Sequence, residues 1–169
     1  ACTRNSVDES VAVDEIKRFI AEQDMKEEHR FVPQKKHDYS DIKVAIVGAG
    51  PAGLSCANYL AIDNYDVTVF EKEEALGGML TWGIPNFRLE RSVIESEIDV
   101  LRELGVKFQT GVEIGNDITL NELRSQGFKA FYLAIGAQGG RRLNIEGEDA
   151  QGVMTGIDFL RRVNQSEEQ

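Results

Sequence analysis

The stretch Ile42 to Gly53, IKVAIVGAGPAG, constrains the fold more than any other part of the chain. Val44 to Val47 is an aliphatic run that ends at Gly48. Such a run, closed by a turn residue, is the pattern of a strand buried in a parallel sheet. Gly48, Gly50 and Gly53 follow at the spacing G-x-G-x-x-G, and LSCANYLA continues as a helix. Each glycine has a task in such a turn. Gly48 permits the tight bend, Gly50 leaves no Cβ in the way of a pyrophosphate, and Gly53 lets helix and strand pack closely. Pro51 falls near the first helical position, where its missing N–H costs nothing. The unpaired N–H groups and positive dipole end of that helix then face a phosphate.

Alone, G-x-G-x-x-G is weak, and a glycine-rich turn without a ligand is the alternative. Here a strand precedes it, a helix follows, and a second strand, Val67 to Phe70, ends in Glu71. A carboxylate about twenty residues after the motif accepts hydrogen bonds from the hydroxyls of an adenosine ribose and disfavours a 2′-phosphate.

Length and charge exclude several classes. A chain of 169 residues suffices for one domain with a proper core. A formal net charge of −10 argues against a nucleic-acid or anionic-membrane surface. No apolar run is long enough for a transmembrane helix, and ACTRNSVDES has no apolar signal region. Two cysteines, Cys2 and Cys56, do not make a disulfide framework and fit a reducing cytoplasm. Cys56, inside the helix, reads as a small buried residue. His29 and His37 read as solvated, since no carboxylate or cysteine cluster joins them at metal spacing. No metal site is expected.

From Val11 to about Glu28 the pattern is helical, with Ala12, Ile16, Phe19 and Ile20 on one face. It reads as an amphipathic helix docked on the domain. HRFVPQKKHDYSD, residues 29–41, is polar and aperiodic and reads as a linker. Residues 74–90, EALGGMLTWGIPNFRLE, read as a loop that covers a bound cofactor, with a surface loop around one buried Trp82 as the alternative. A helix opens at Ser92, with Ser92 and Glu95 as a capping box and Gly105 after its last turn. VKFQTGVEIG is a strand broken at Gly111. Thr119 and Glu122 form a second capping box before a short helix stopped by Gly127. FYLAIGA, residues 131–137, is a further buried strand. GGRRLNIEGEDAQG reads as loop and hairpin, and residues 156–163 start a last helix. Strands near 43–47, 67–70, 107–109 and 131–135 are expected in the spatial order 3-2-1-4.

GAGPAG, FEKEEALGGML, GIPNFRL, the long helix, GVEIGNDITL and LAIGA occur here in one order. In that order the chain resembles the NADPH-dependent glutamate synthase small-subunit family. Its relatives include the flavin part of dihydropyrimidine dehydrogenase and NADH-dependent ferredoxin–NADP oxidoreductases. The resemblance implies an α/β fold: a Rossmann-like FAD-binding parallel sheet with flanking helices, preceded by an N-terminal helix. It divides the chain into residues 1–30, the end of an iron–sulfur-type helical region, a linker at 31–41, and residues 42–169, the N-terminal part of the flavin domain. Cys2, before DESVAV, matches the last cysteine of the family's cluster-binding region. One thiolate cannot hold a four-iron cluster, so none is expected in this chain. The family's NADPH domain, with its own glycine motif, and the segment that completes the flavin site would follow residue 169.

The resemblance also implies roles. Gly48, Ala49, Gly50, Pro51, Ala52 and Gly53 wrap the FAD pyrophosphate, and Glu71 holds the adenosine ribose. Lys72 to Met79, with Gly77 and Gly78, line the cofactor. Arg88 offers a cation to the pyrophosphate or flavin edge, a surface salt bridge being the alternative. Ile114, or else Val112, brackets the adenine, and Gly136 closes over the dinucleotide. No residue here is expected to be catalytic. The implied reaction of the longer protein passes electrons from NADPH through FAD to iron–sulfur clusters and a partner, the glutamate synthase large subunit or another electron-accepting subunit. The alternatives are the cofactor domain of an NAD-dependent dehydrogenase, in which GGMLTWGIPNFRL has no role, and a non-catalytic interaction fragment.

Overall fold

The computed structural model describes residues 2–28 and 30–166, with only the backbone of Ser166. His29, expected to be solvated, lies outside the described residues. The chain forms two compact units, residues 1–32 and 33–169.

In the first unit a 3-10 turn, Thr3–Ser6, precedes helix α1, Val13–Asp24. Asp14 and Glu15 in the first turn of α1 complement its dipole. Arg18 donates to Glu22 at 2.7 Å, one turn on. Ile16, Phe19 and Ile20 of the anticipated stripe are all exposed, and α1 buries no residue. Asp24 closes the unit, accepting from the Phe31 N–H at 3.2 Å and from Arg30 Nε at 2.9 Å. These two donors, the Phe31 amide first, hold the Asp24 carboxyl below its ordinary value.

The second unit is a parallel sheet with helices packed on it. Strand β1 is Lys43–Val47, β2 Asp66–Phe70, β3 Lys107–Gln109 and β4 Phe128–Leu133. Their spatial order is β3-β2-β1-β4, the order expected from right-handed crossovers. β1 pairs with β2 from Lys43↔Asp66 to Val47↔Phe70, and with β4 up to Val47↔Leu133. Ala45, Ile46, Val67 and Val69 are fully buried, as aliphatic runs in a covered parallel sheet should be. Helix α2, Pro51–Ile62, buries Gly53, Ala57 and Ala61. These small residues, four apart, let α2 lie close on the sheet. A short helix α3, Met79–Trp82, precedes α4, Arg91–Glu103, whose core face is Ile94, Ile98 and Leu101. Helix α5, Leu120–Ser125, follows, then α6, Gly156–Ser166. Under α5, Leu123 packs with Ala45, Phe70 and Phe128. His37 is exposed, as expected.

Several local expectations are corrected. Ser92 and Glu95 do not form a capping box. The helix begins one residue earlier, with Glu90 at the N-cap and no side-chain cap. Asn86 Oδ1 accepts the Arg91 N–H at 3.1 Å, and Glu95 instead accepts from Arg102. The last strand runs from Phe128 to Leu133, three residues earlier than its apolar run suggested, because it pairs from Lys43 onward. No strand forms between residues 134 and 155, so the expected hairpin is a loop with turns. The 74–90 segment contains α3, too short to show a period. Thr119 and Glu122 do form the reciprocal capping box.

Candidate functional site

The carboxyl ends of β1, β2 and β4 open onto a cleft of about 720 Å³. In open parallel sheets this end is where ligands bind. The turn after β1 forms its floor. The Gly48 N–H bonds to Phe70 O at 2.8 Å, and the Ala134 N–H to Val47 O at 2.8 Å. Gly48 has φ +104°, and a Cβ there would stand 2.4 Å from Ala134 O. A Cβ on Gly53 would stand 1.9 Å from Gly48 O. The chain itself therefore requires glycine at both positions.

Gly50 differs. Its backbone, φ −76° and ψ −179°, is open to any residue, and a Cβ there would meet no atom within 4 Å. Nothing in the protein demands glycine at this position. The empty space is a cradle on the cleft side, at the N-cap of α2, which has no side-chain cap. The first-turn N–H groups of a helix lack intrahelical acceptors, and an anion placed there receives them. The residues present thus fit a pyrophosphate.

Glu71, at the end of β2, is 8% exposed. Its Oε2 accepts the Ala49 N–H at 2.7 Å, and its Oε1 accepts the Glu73 N–H at 3.1 Å. A carboxylate has about four lone-pair positions, so both oxygens keep room for ribose hydroxyls. The Gly77 N–H bonds to Ala49 O at 2.9 Å. A Cβ on Gly78, φ +56°, would come 2.8 Å from Gly50 Cα. The two glycine turns are thus seated against each other.

Of the residues singled out from the sequence, Gly48, Gly50, Pro51, Ala52, Glu71, Lys72, Gly78, Met79, Ile114 and Gly136 line the cleft. Ala49, Gly53 and Gly77 are buried; the Ala49 N–H bonds to Glu71 of the cleft wall, and the Gly77 N–H to Ala49 O behind it. Val112 lines the cleft together with Ile114. Arg88 is exposed and outside the cleft wall. Leu133, Ile135 and Gln138 also line it and were not anticipated. Leu133 and Ile135 lie just before Gly136, and the end of β4 could have led to them; Gln138 has no sequence signal. Among the described residues no group of three or more His, Cys, Asp or Glu could hold a metal ion. Cys56 is half-buried, and burial pushes its thiol up.

Comparison with known proteins follows the same lines. The model of the Thi4 family matches residues 26–118, more than half of the chain. The glutamate synthase [NADPH] small chain of Bacillus subtilis (strain 168) is 42% identical over 160 residues, which cover 95% of this chain and 32% of that protein. The NADPH-Fe(3+) oxidoreductase subunit beta of Geobacter sulfurreducens (strain DL-1 / KN400) is 41% identical over 165 residues, 95% of this chain and 24% of that one. Among solved structures, Mycobacterium tuberculosis FprA in complex with NADPH superposes with a TM-score of 0.65 at 27% identity, over 73% of this chain and 29% of FprA. The chain spans about a quarter to a third of the length of the curated relatives it matches. By its family model the chain belongs to the Thi4 family, and its sequence is homologous to part of the glutamate synthase small chain and related FAD/NAD(P) oxidoreductases.

Proposed function

We propose that the cleft binds the ADP half of FAD, as part of an oxidoreductase that takes electrons from NADPH. The observation that carries this reading is Gly50, a glycine that the fold does not need, facing open space at a helix N-terminus. The pyrophosphate would lie over Gly48, Gly50 and the first turn of α2, and the ribose against Glu71. The adenine would sit between Val112, Ile114 and the Lys72 side. Gly78 and Met79 would wall the far side, and Gly136 would close over the dinucleotide. Arg88 rests on the family resemblance alone.

When bound, the flavin supplies the hydride and electron chemistry. This chain's residues bind and orient it and keep the carboxylate of Glu71 fixed for the ribose. The names of the relatives, an NADPH-dependent small chain and a subunit beta, support NADPH as donor and an electron-accepting subunit as partner. In the glutamate synthase case the partner would be the large subunit. Two unpaired cysteines support a cytoplasmic setting. No described helix is long and apolar enough to cross a membrane.

Gly50→Ala tests the reading. Its stability should fall by no more than the ~1 kcal/mol of a lost N-cap preference, because the added methyl meets no atom of the protein. FAD titrated by fluorescence quenching should bind at least about tenfold more weakly, roughly 1.4 kcal/mol. Equal affinity would remove the pyrophosphate from this turn.

A further inference from the structure

Helix α6 packs on α3 beside the cleft, and one of its side chains reaches three separate segments. Arg161 pairs with Glu73, in the segment after β2. Its Nη1 donates to Gln138 Oε1 at 3.3 Å, in the cleft wall after β4. Its guanidinium also lies over the Trp82 ring of α3, 5.7 Å from the centroid. One turn on, Asn164, 1% exposed, donates to Trp82 O at 3.0 Å. The Arg161 and Glu73 side chains are 28% and 21% exposed, a setting in which an ion pair is less screened than at the open surface.

The Glu73 contact leads into the site. Residues 72–77 form bends without a regular ladder, so their main chain depends on specific anchors. Glu73 has two: its carbonyl accepts the Gly111 N–H at 3.3 Å, and its carboxylate is held by Arg161. So anchored, its own N–H reaches Glu71 Oε1 at 3.1 Å. Glu71 in turn grips the glycine turn through the Ala49 N–H. A continuous line therefore runs from Arg161 through Glu73 to the carboxylate that faces the ribose. Resting on the assignment of the cleft to a nucleotide, we propose that Arg161 is a positioning residue: through Glu73 it orients Glu71 for the two ribose hydroxyls. It touches neither the nucleotide nor any reacting atom.

The test compares ADP with 2′,3′-dideoxy-ADP by calorimetric titration of the full chain, for the parent, Arg161→Met and Glu73→Gln. The parent should prefer ADP. In both variants the preference should fall by roughly three- to tenfold, about the worth of one ordinary hydrogen bond, with dideoxy-ADP affinity nearly unchanged. Loss of folding would weaken both ligands equally and leave their ratio intact. Should Arg161→Met undock α6, Glu73→Gln decides, since it leaves Arg161 over Trp82. A parent that binds ADP with preference while both variants keep that ratio, with dideoxy-ADP affinity unchanged, overturns the role of Arg161 alone. A parent indifferent to the hydroxyls overturns Glu71 and Arg161 together, and one that binds neither ligand overturns the assignment of the cleft itself.

Discussion

Glu71 has a structural use that its hydrogen bonds show and a ligand use that we propose, and both rest on one carboxylate. Its bonds to Ala49 and Glu73 tie the glycine turn to the segment after β2. Glu71→Ala should weaken FAD binding by roughly 1–3 kcal/mol, as for a charged acceptor, and free the Ala49 amide. Titrating the apo-protein with FAD checks this, and unchanged affinity would take Glu71 out of the site. At this scale the sequence was most informative where a residue type has a steric reason. Gly48, Gly50 and Gly53 were legible because only a few backbone arrangements use that spacing. Glu71 was legible from its distance along the chain. Gln138 and Arg161 were not, because their contacts join segments that no local pattern links.

Among the elements, the two capping signals give opposite lessons. Thr119 and Glu122 cap α5 as their spacing implies: the Glu122 N–H bonds to Thr119 Oγ1 at 3.2 Å, and the Thr119 N–H to Glu122 Oε2 at 2.7 Å. Ser92 and Glu95 carry the same spacing, but the bend after Pro85 lets Asn86 take the Arg91 amide. Helix α4 therefore starts before Ser92 can serve as its cap. Tertiary context decided between equal local signals. Thr119→Ala should cost about 1 kcal/mol of unfolding free energy, read by urea denaturation. The Thr119 amide, and then its hydroxyl, lower the Glu122 carboxyl below its ordinary value of 4.5. A depressed carboxyl stabilises the fold above its unfolded value and loses that contribution as pH falls through the folded one. The gap between Thr119→Ala and the parent should therefore narrow as pH drops below 4.5. A gap of constant size would place the cap's contribution outside the ionised carboxylate.

For the molecule as a whole, the strand order followed from chain order and right-handed crossovers, because parallel strands leave few alternatives. The ends of β4 were less legible, since its apolar run continues into residues that face the cleft rather than the sheet. The 169-residue chain contains one G-x-G-x-x-G, with Glu71 beside it. Flavin reduction needs donor and ring held at near-attack distance, and the residues gathered here are ones we propose for the adenosine and pyrophosphate only. This polypeptide alone, supplied with NADPH, FAD and a dye acceptor, should oxidise NADPH no faster than free FAD does. Sustained turnover above that level would mean that the nucleotide residues support the whole reaction.

The contrast between Gly50 and Gly53 has a consequence for any large collection of variants. A screen that scores only how much folded chain accumulates should tolerate small side chains at Gly50, where a Cβ meets nothing, and reject them at Gly53, where it would overlap Gly48 O. A screen that scores flavin retention should reject both. Neighbouring glycines of one motif would then fall into different tolerance classes, and the difference between the two screens would map the ligand's footprint without a ligand-bound structure.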